Sequence, residues 1–289
     1  MILLDVVLGG LVLGGMYALV ALGFNLQYGI ARVLNLAYGE FLVTAAFAAY
    51  WMFTLWRIDP ILGMVFSVPV TFAANWLVYR ILIEPLARRS ANREQFEGDT
   101  ILSTFGLLFV INGSVILVFT GDLRSYDYLS GPVNVFGLTF SMNRIVALGV
   151  SCVCTVAIFS ILTWTRTGMA MRALAIDPIA ASIMAIDVPR ISALAFATGG
   201  ALVAVAGTLI STFIAFDPTM GVDFSIKALI VVIMGGVGNM LGCLAAGLLL
   251  GLTESFTARF LDSGLKLAVA YLMFLAVLLF RPRGLFGSN

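Results

Sequence analysis

Asn25, Gln27, Asn35 and Glu40 punctuate an otherwise apolar stretch, GFNLQYGIARVLNLAYGE at residues 23–40, which glycine interrupts again at Gly39. Amides and a carboxylate can exchange hydrogen bonds with a polar solute, and glycine lets backbone groups come close to it. A second break, GGVGNMLG at residues 235–242, supplies Gly236 and Asn239 near the other end of the chain. Breaks inside apolar helices free backbone N–H and C=O groups, which at membrane depth need a water-filled cavity or protein partners. Breaks in matching halves of a transporter sequence point to the solute path, although packing of a glycine-rich chain would give the same pattern. The candidate path residues are therefore Asn25, Asn35, Gly39, Glu40, Gly236 and Asn239. Glu40 is the most informative of them, because a carboxylate near hydrocarbon wants a partner. Arg32 is the nearest cation in sequence; alternatively, Glu40 charges the N-terminus of the helix that follows it. Asn75, Asn112 and Ser114 lie further in.

The chemistry that is missing narrows the function. The chain has no histidine, the commonest transition-metal ligand and general base. Cys152, Cys154 and Cys243 all lie in apolar runs, read as small buried hydrophobes, and no CxxC site or disulfide framework is visible. There is no GxxxxGK[ST] loop; the two lysines, Lys227 and Lys266, sit in IKALI and LKLAV. The chain is therefore not expected to bind and split ATP in that manner. No Asp, Glu, Lys or Arg falls plainly at the centre of a span, where ion-coupled carriers place such groups. A passive path driven by a neighbouring subunit fits both absences.

A different chemistry, that of docking, is suggested by RTGMAMRALAIDPIAASIMAIDVPR at residues 166–190. Arg166, Arg172, Asp177, Asp187 and Arg190 keep this stretch out of hydrocarbon, where one charge costs roughly 2.5–3.5 kcal/mol at mid-bilayer. Asp177-Pro178 reads as an N-cap followed by the first helical position. A short helix is predicted from Pro178 to about Ile186, stopped by the Val188-Pro189 step. Ile179, Ile183 and Ile186 would share one side of it. A surface helix with an exposed apolar stripe is suited to docking.

These groups are carried by a strongly apolar chain. Hydrophobic residues make up 61% and charged residues 11%, against about a quarter charged in soluble domains, and mean hydropathy is +1.08. The formal net charge of +1 suggests no nucleic-acid partner. The fold class is all-α: a polytopic membrane protein forming one domain over residues 1–289. Spans of roughly 20 apolar residues are predicted at Ile2–Asn25, Phe41–Trp56, Ile61–Ile83, Ile101–Thr120, Arg144–Thr165, Ile191–Ala215 and Leu265–Phe280. Phe224–Phe256 is too long for one span and reads as two short spans or a pair broken at residues 235–242. The total is about eight membrane elements, with broken or re-entrant helices and a short cytoplasmic one. MILLDVVLGG, with Asp5 where a signal peptide would be basic, reads as the start of an uncleaved span. Arginines 32, 88, 89, 93, 166, 172, 190, 281 and 283 alternate onto one side. By the positive-inside rule that side is cytoplasmic, with the N-terminus outside and the C-terminus inside. Gly10/Gly14, Gly238/Gly242 and Gly247/Gly251 repeat at the spacing that lets helix backbones approach closely.

Three segments taken in order carry a family resemblance: residues 9–41 (GGLVLGGMYALVALGFNLQYGIARVLNLAYGEF), residues 167–207 (TGMAMRALAIDPIAASIMAIDVPRISALAFATGGALVAVAG) and residues 216–255 (FDPTMGVDFSIKALIVVIMGGVGNMLGCLAAGLLLGLTES). With the tail RPRGLFG, they resemble the permease subunits of ABC importers for branched-chain amino acids, the LivH type especially. The chain departs from the pattern twice. Tyr38 stands where the family commonly has His in NxAHGE, and Ala185 where it commonly has Gly before Ile-Asp.

The resemblance implies a transmembrane permease of an ATP-driven importer in the bacterial inner membrane, translocating branched-chain or related amino acids. Urea and short-chain amide permeases share the signatures and form the alternative; a stand-alone channel or structural subunit is more distant. The implied partners are a second permease subunit (an M-like paralogue or a second copy), two cytoplasmic ABC ATPases and a periplasmic or lipid-anchored substrate-binding protein. The chain itself would need no cofactor, the ATPases using the ATP. Residues 172–187 match the family's ATPase-contacting loop, so the resemblance makes Arg172, Asp177, Pro178, Ile179, Ala181, Ile183, Met184 and Ile186 the coupling helix.

Overall fold

The computed structural model describes residues 2–90, 92–135, 138–281 and 284–286. The chain runs through α1 (Ile2–Gly29), α2 (Tyr38–Trp56) and α3 (Pro60–Val78). A π turn at Tyr79–Ile83 carries α3 directly into α4 (Glu84–Arg89) as one rod, and α5 (Arg93–Phe119) follows. A small antiparallel hairpin, β1 (Pro132–Val135) and β2 (Leu138–Ser141), interrupts the helical order, pairing Pro132 with Ser141. Then come α6 (Met142–Trp164), α7 (Arg166–Ile176), α8 (Pro178–Ile183), α9 (Val188–Ser211), α10 (Met220–Gly235), α11 (Met240–Phe260) and α12 (Lys266–Phe280). The protein is an all-α polytopic membrane protein. Six helices of the described residues are long and apolar enough to cross a membrane: α1, the α3–α4 rod, α5, α6, α9 and α11. The shorter or less apolar α2, α10 and α12 pack into the same bundle. The long stretch Phe224–Phe256 resolves into α10 and α11, which meet at the glycine-rich break.

Burial separates centre from rim. The apolar window of α9 is 83% buried, that of α5 only 11%. Side chains on α5 such as Leu102, Phe109 and Leu117 are exposed and face lipid or a partner. The glycine pairs act as spacers. Gly10 and Gly14 on α1 press on the backbone of α11 at Leu252 and Leu248, and Gly251 on α11 fits against Gly14 in return. A Cβ at Gly251 would collide with the backbone of Gly14, so these small residues set the α1–α11 distance.

At one end of the bundle the loop before the hairpin is clamped down. Arg124 bridges Phe216, Tyr128 donates to the Asp59 carboxylate at 2.9 Å, and Tyr126 shares a hydrogen bond with Ser211. Burial pushes the Tyr126 phenol up to about 12. The other end carries α7, α8 and the α10–α11 turn.

Candidate functional site

At the second end, α7 and α8 stand between α6 and α9. Thr165 caps α7, its hydroxyl accepting from Gly168 N at 3.0 Å. Arg172 reaches back from α7 to donate to Thr163 O at 3.2 Å. Asp177 caps α8 as the sequence predicts: one carboxylate oxygen accepts from Ile179 N at 2.8 Å and Ala180 N at 3.2 Å. The helix is shorter than predicted, ending at Ile183. What ends it is Ala185, in left-handed backbone at φ 58°. Ala185 N donates to Ser182 O and Ile186 N to Ala181 O, both at 3.1 Å, the pair of bonds that closes a Schellman turn. Val188-Pro189 does not stop this helix. It opens α9, whose cap is Asp187, accepting from Arg190 N at 3.1 Å.

The stripe also differs. Ile186, past the turn, packs on the core, and Ala181 is buried. The outward face is Ile179 (73% exposed), Ile183 (79%) and Met184 (77%), with Ile176 of α7 beside them. Large apolar side chains so exposed on a helix fixed at both ends form a surface without a partner in this chain. A cavity of about 500 Å³ lies between α8 and the α4–α5 connection, lined by Arg32, Arg93, Asp177 and Ile179 among others.

The first break, residues 30–37, is held by a connected amide network. Asn35 Nδ2 donates to Gln27 Oε1 at 2.9 Å. Gln27 Nε2 donates to Phe196 O at 3.0 Å and Asn75 Oδ1 at 3.2 Å. Asn35 Oδ1 accepts from Ala37 N at 3.1 Å. Gln27, Asn35 and Asn75 are all fully buried. The backbone freed by the break is thus met by protein side chains. Tyr38, also buried, donates to Val20 O at 2.8 Å and stands edge-on to Phe24. It anchors the start of α2 well inside the length of α1.

Glu40 lies in the first turn of α2, and Gly221, in the first turn of α10, packs directly on its carboxylate. Two helix N-termini converge on one buried carboxyl group, placing their positive ends beside it. Asn112 of α5 donates to Glu40 Oε2 at 3.3 Å and to Pro218 O at 2.7 Å, while Oε1 has no hydrogen bond. Among the described residues no ion pair links Glu40 to Arg32. Gly39 N donates to Ser225 Oγ at 2.8 Å, closing the α2–α10 contact.

The two breaks are adjacent at one end. Asn25 Oδ1 accepts from Gly238 N at 2.8 Å, and Gly29 packs on Gly238. Gly236 and Gly238 take positive φ. Asn239 caps α11 through Gly242 N at 3.0 Å and donates to Phe286 O at 2.8 Å. The structure therefore groups Asn25 with the α10–α11 turn and Asn35 with Gln27 and Asn75, and it sets Glu40 apart with Asn112. No grouping of three or more metal-ligating side chains occurs among the described residues.

One polar centre was missed in the sequence. Lys227 of α10 and Glu254 of α11 form an ion pair at 2.9 Å. Tyr17 of α1 donates to Glu254 at 2.6 Å, and Lys227 reaches the Tyr17 hydroxyl at 2.8 Å. Ionisable groups do lie inside the bundle, neutralised pairwise across helices. Their signal was a single lysine and a single glutamate, each alone in an apolar run.

A helical bundle with converging broken segments and a capped, apolar-faced helix at one end defines a multi-pass membrane permease. Over residues 6–279 the chain matches the family described as branched-chain amino acid transport system / permease component, and it belongs to that family. It is 28% identical to the high-affinity branched-chain amino acid transport system permease protein LivH of Salmonella typhimurium, over 96% of this chain and 93% of that protein. It is 29% identical to BraD of Pseudomonas aeruginosa, a protein of the same description, over 98% and 95%. LivM of Salmonella typhimurium is 26% identical over 93% of this chain and 67% of its own length. A chain of the solved structure of PsaBC from Streptococcus pneumoniae in complex with Fab has the same fold, with a TM-score of 0.51 at 12% identity, covering 99% of this chain and 94% of that one.

Proposed function

We propose that this chain is the transmembrane permease subunit of an ABC importer that carries branched-chain or related amino acids inward across the bacterial inner membrane. The carrying observation is α8: a helix held by Asp177 at one end and the Ala185 turn at the other, presenting Ile179, Ile183 and Met184 outward. In this reading that face seats in a groove of a cytoplasmic ATPase, and each nucleotide-driven movement of the ATPase is transmitted through α7, tied to α6 by Arg172. The chain contributes no ATP site of its own. A second permease, an M-like paralogue or another copy, completes the channel, and α5, exposed along its length, is a face available to it. A periplasmic or lipid-anchored binding protein delivers the substrate.

The arginine distribution supports an external N-terminus and a cytoplasmic C-terminus; of the tail arginines, Arg283 lies outside the described residues. The route is bordered by the converging starts of α2 and α10, where Glu40 and Asn112 supply polar groups among apolar walls. Asn35, Gly39, Asn25, Gly236 and Asn239 shape that route from behind, by fixing the breaks.

Reconstitution with the partner subunits in proteoliposomes tests the assignment. ATP-dependent leucine uptake that excess urea or acetamide does not suppress is the expected result. Uptake of urea without any of leucine would assign the chain to the amide branch instead.

A further inference from the structure

Both lysines of the chain line a single cavity of about 450 Å³ at the end of the bundle opposite α8. Its floor is the Tyr17–Lys227–Glu254 cluster, and Arg144 of α6 and Lys266 of α12 stand in its wall. Three cations therefore face it against one carboxylate, and that carboxylate is already engaged by Lys227 at 2.9 Å and Tyr17 at 2.6 Å. Neither Arg144 nor Lys266 has an ion-pair partner among the described residues. The other acids at this end, Asp5, Asp59, Asp122, Asp127, Asp217, Asp223 and Asp262, do not line the cavity. The remaining wall is mainly apolar, with Leu13, Phe213 and Phe224 prominent; Ser255 also lines it, its hydroxyl donated to Val6 O.

We propose that this cavity binds a phosphate oxyanion through Arg144 and Lys266, and that its natural occupant is a phospholipid headgroup whose acyl chain lies along the apolar wall. The charge excess selects an anion. A zwitterionic amino acid fits less well, because its ammonium group would find no free carboxylate. Basic pockets between membrane helices on the cytoplasmic side hold lipid phosphates through fixed cations, and the same combination of cations and adjoining apolar surface stands here at the opposite end. Arginine can grip two phosphate oxygens at once, while the lysine acts as a point charge. The floor pair keeps Lys227 from adding a third free charge and fixes α1, α10 and α11 around the site. This assignment does not depend on which solute the permease carries.

Native mass spectrometry of the full chain in mild detergent tests it, with phosphatidylglycerol, diacylglycerol of the same chains, and inorganic phosphate as probes. Phosphatidylglycerol should be retained about tenfold more tightly than diacylglycerol, a difference of about 1.4 kcal/mol. The double variant Arg144→Gln, Lys266→Gln should lose that preference, and Arg144→Lys should keep part of it. Both side chains are at least partly exposed, so the fold should survive, which an unchanged melting temperature without lipid would verify. Retention of lipid by the wild type alone supports the headgroup as the source. A thermal shift with inorganic phosphate but not with lipid supports the oxyanion site and replaces the headgroup with the free ion. Without a phosphate-dependent shift, equal retention of phosphatidylglycerol and diacylglycerol would overturn the proposal, as would lipid retention or a phosphate shift that the double variant keeps unchanged.

Discussion

Asn25 and Gly238 share a hydrogen bond of 2.8 Å across 213 residues of sequence, the side-chain oxygen of one accepting the backbone proton of the other. It fastens the last turns of α1 to the turn between α10 and α11, so the chain's two glycine-rich breaks are one structural unit. A change at either break will be felt at the other.

Asn25→Leu should therefore destabilise the protein by about 1 kcal/mol, the loss of one hydrogen bond whose donor, Gly238 N, sits on an exposed turn that water can reach. Asn35→Leu should cost about 1–3 kcal/mol, because the buried Gln27 Oε1 would lose its donor. Thermal unfolding in detergent measures both. Melting temperatures equal to wild type would show that water replaces the lost partners and that the breaks are open to solvent.

Glu254→Ala should be the more damaging change at the floor of the opposite cavity. It leaves Lys227 charged, largely shielded from water and without its ion-pair partner, and breaking a buried pair in this way costs about 3–5 kcal/mol. Replacing both, as Lys227→Met with Glu254→Leu, should restore much of the loss, since the apolar pair leaves no stranded charge. A double variant as unstable as Glu254→Ala would mean that Tyr17, rather than the charge balance, holds this seam.

Ala185→Gly is expected to stabilise α8. A left-handed backbone at φ 58° costs an alanine roughly 1–2 kcal/mol that glycine does not incur. Part of that gain is offset by glycine's greater freedom in the unfolded chain, leaving a net gain of about 1 kcal/mol. The same position is where the resembling family commonly carries glycine, so the departure noted in the sequence has a conformational reading. A lowered melting temperature in Ala185→Gly would contradict it.

How far the sequence could be read depends on whether the deciding interaction is local. Asp177-Pro178 announced its helix start correctly, because capping involves only the next two amides. Asp59-Pro60 opens α3 by the same device, and Asp217-Pro218 stands just before α10, where Asp217 accepts from Thr219 N at 2.7 Å. The end of α8 was misplaced because alanine gives no warning of a left-handed turn. The following Val188-Pro189 reads in sequence as a stop, although Asp187 before it makes it another start. Long-range chemistry was the least legible. Lys227 and Glu254 neutralise each other across two helices, and Glu40 finds Asn112 on α5 rather than the sequence-near Arg32. The apolar spans and the glycine pairing of α1 with α11 were readable, since composition and spacing alone decide them.

Coupling of the permease to an ATPase through α8 is the central element of the proposed function. Ile183 is 79% exposed in the isolated chain, and burying it in a partner groove would contribute about 1.5–3 kcal/mol. Ile183→Asp would set an unpaired carboxylate in that groove, at a cost of several kcal/mol, while leaving the fold of the exposed helix intact. The decisive measurement is co-purification of the ATPase subunits with this variant, together with substrate-stimulated ATP hydrolysis in lipid. The expected result is a permease that inserts and melts normally, loses its ATPases in detergent, and shows no stimulation. A fully assembled complex with wild-type stimulation would show that this helix is not the contact.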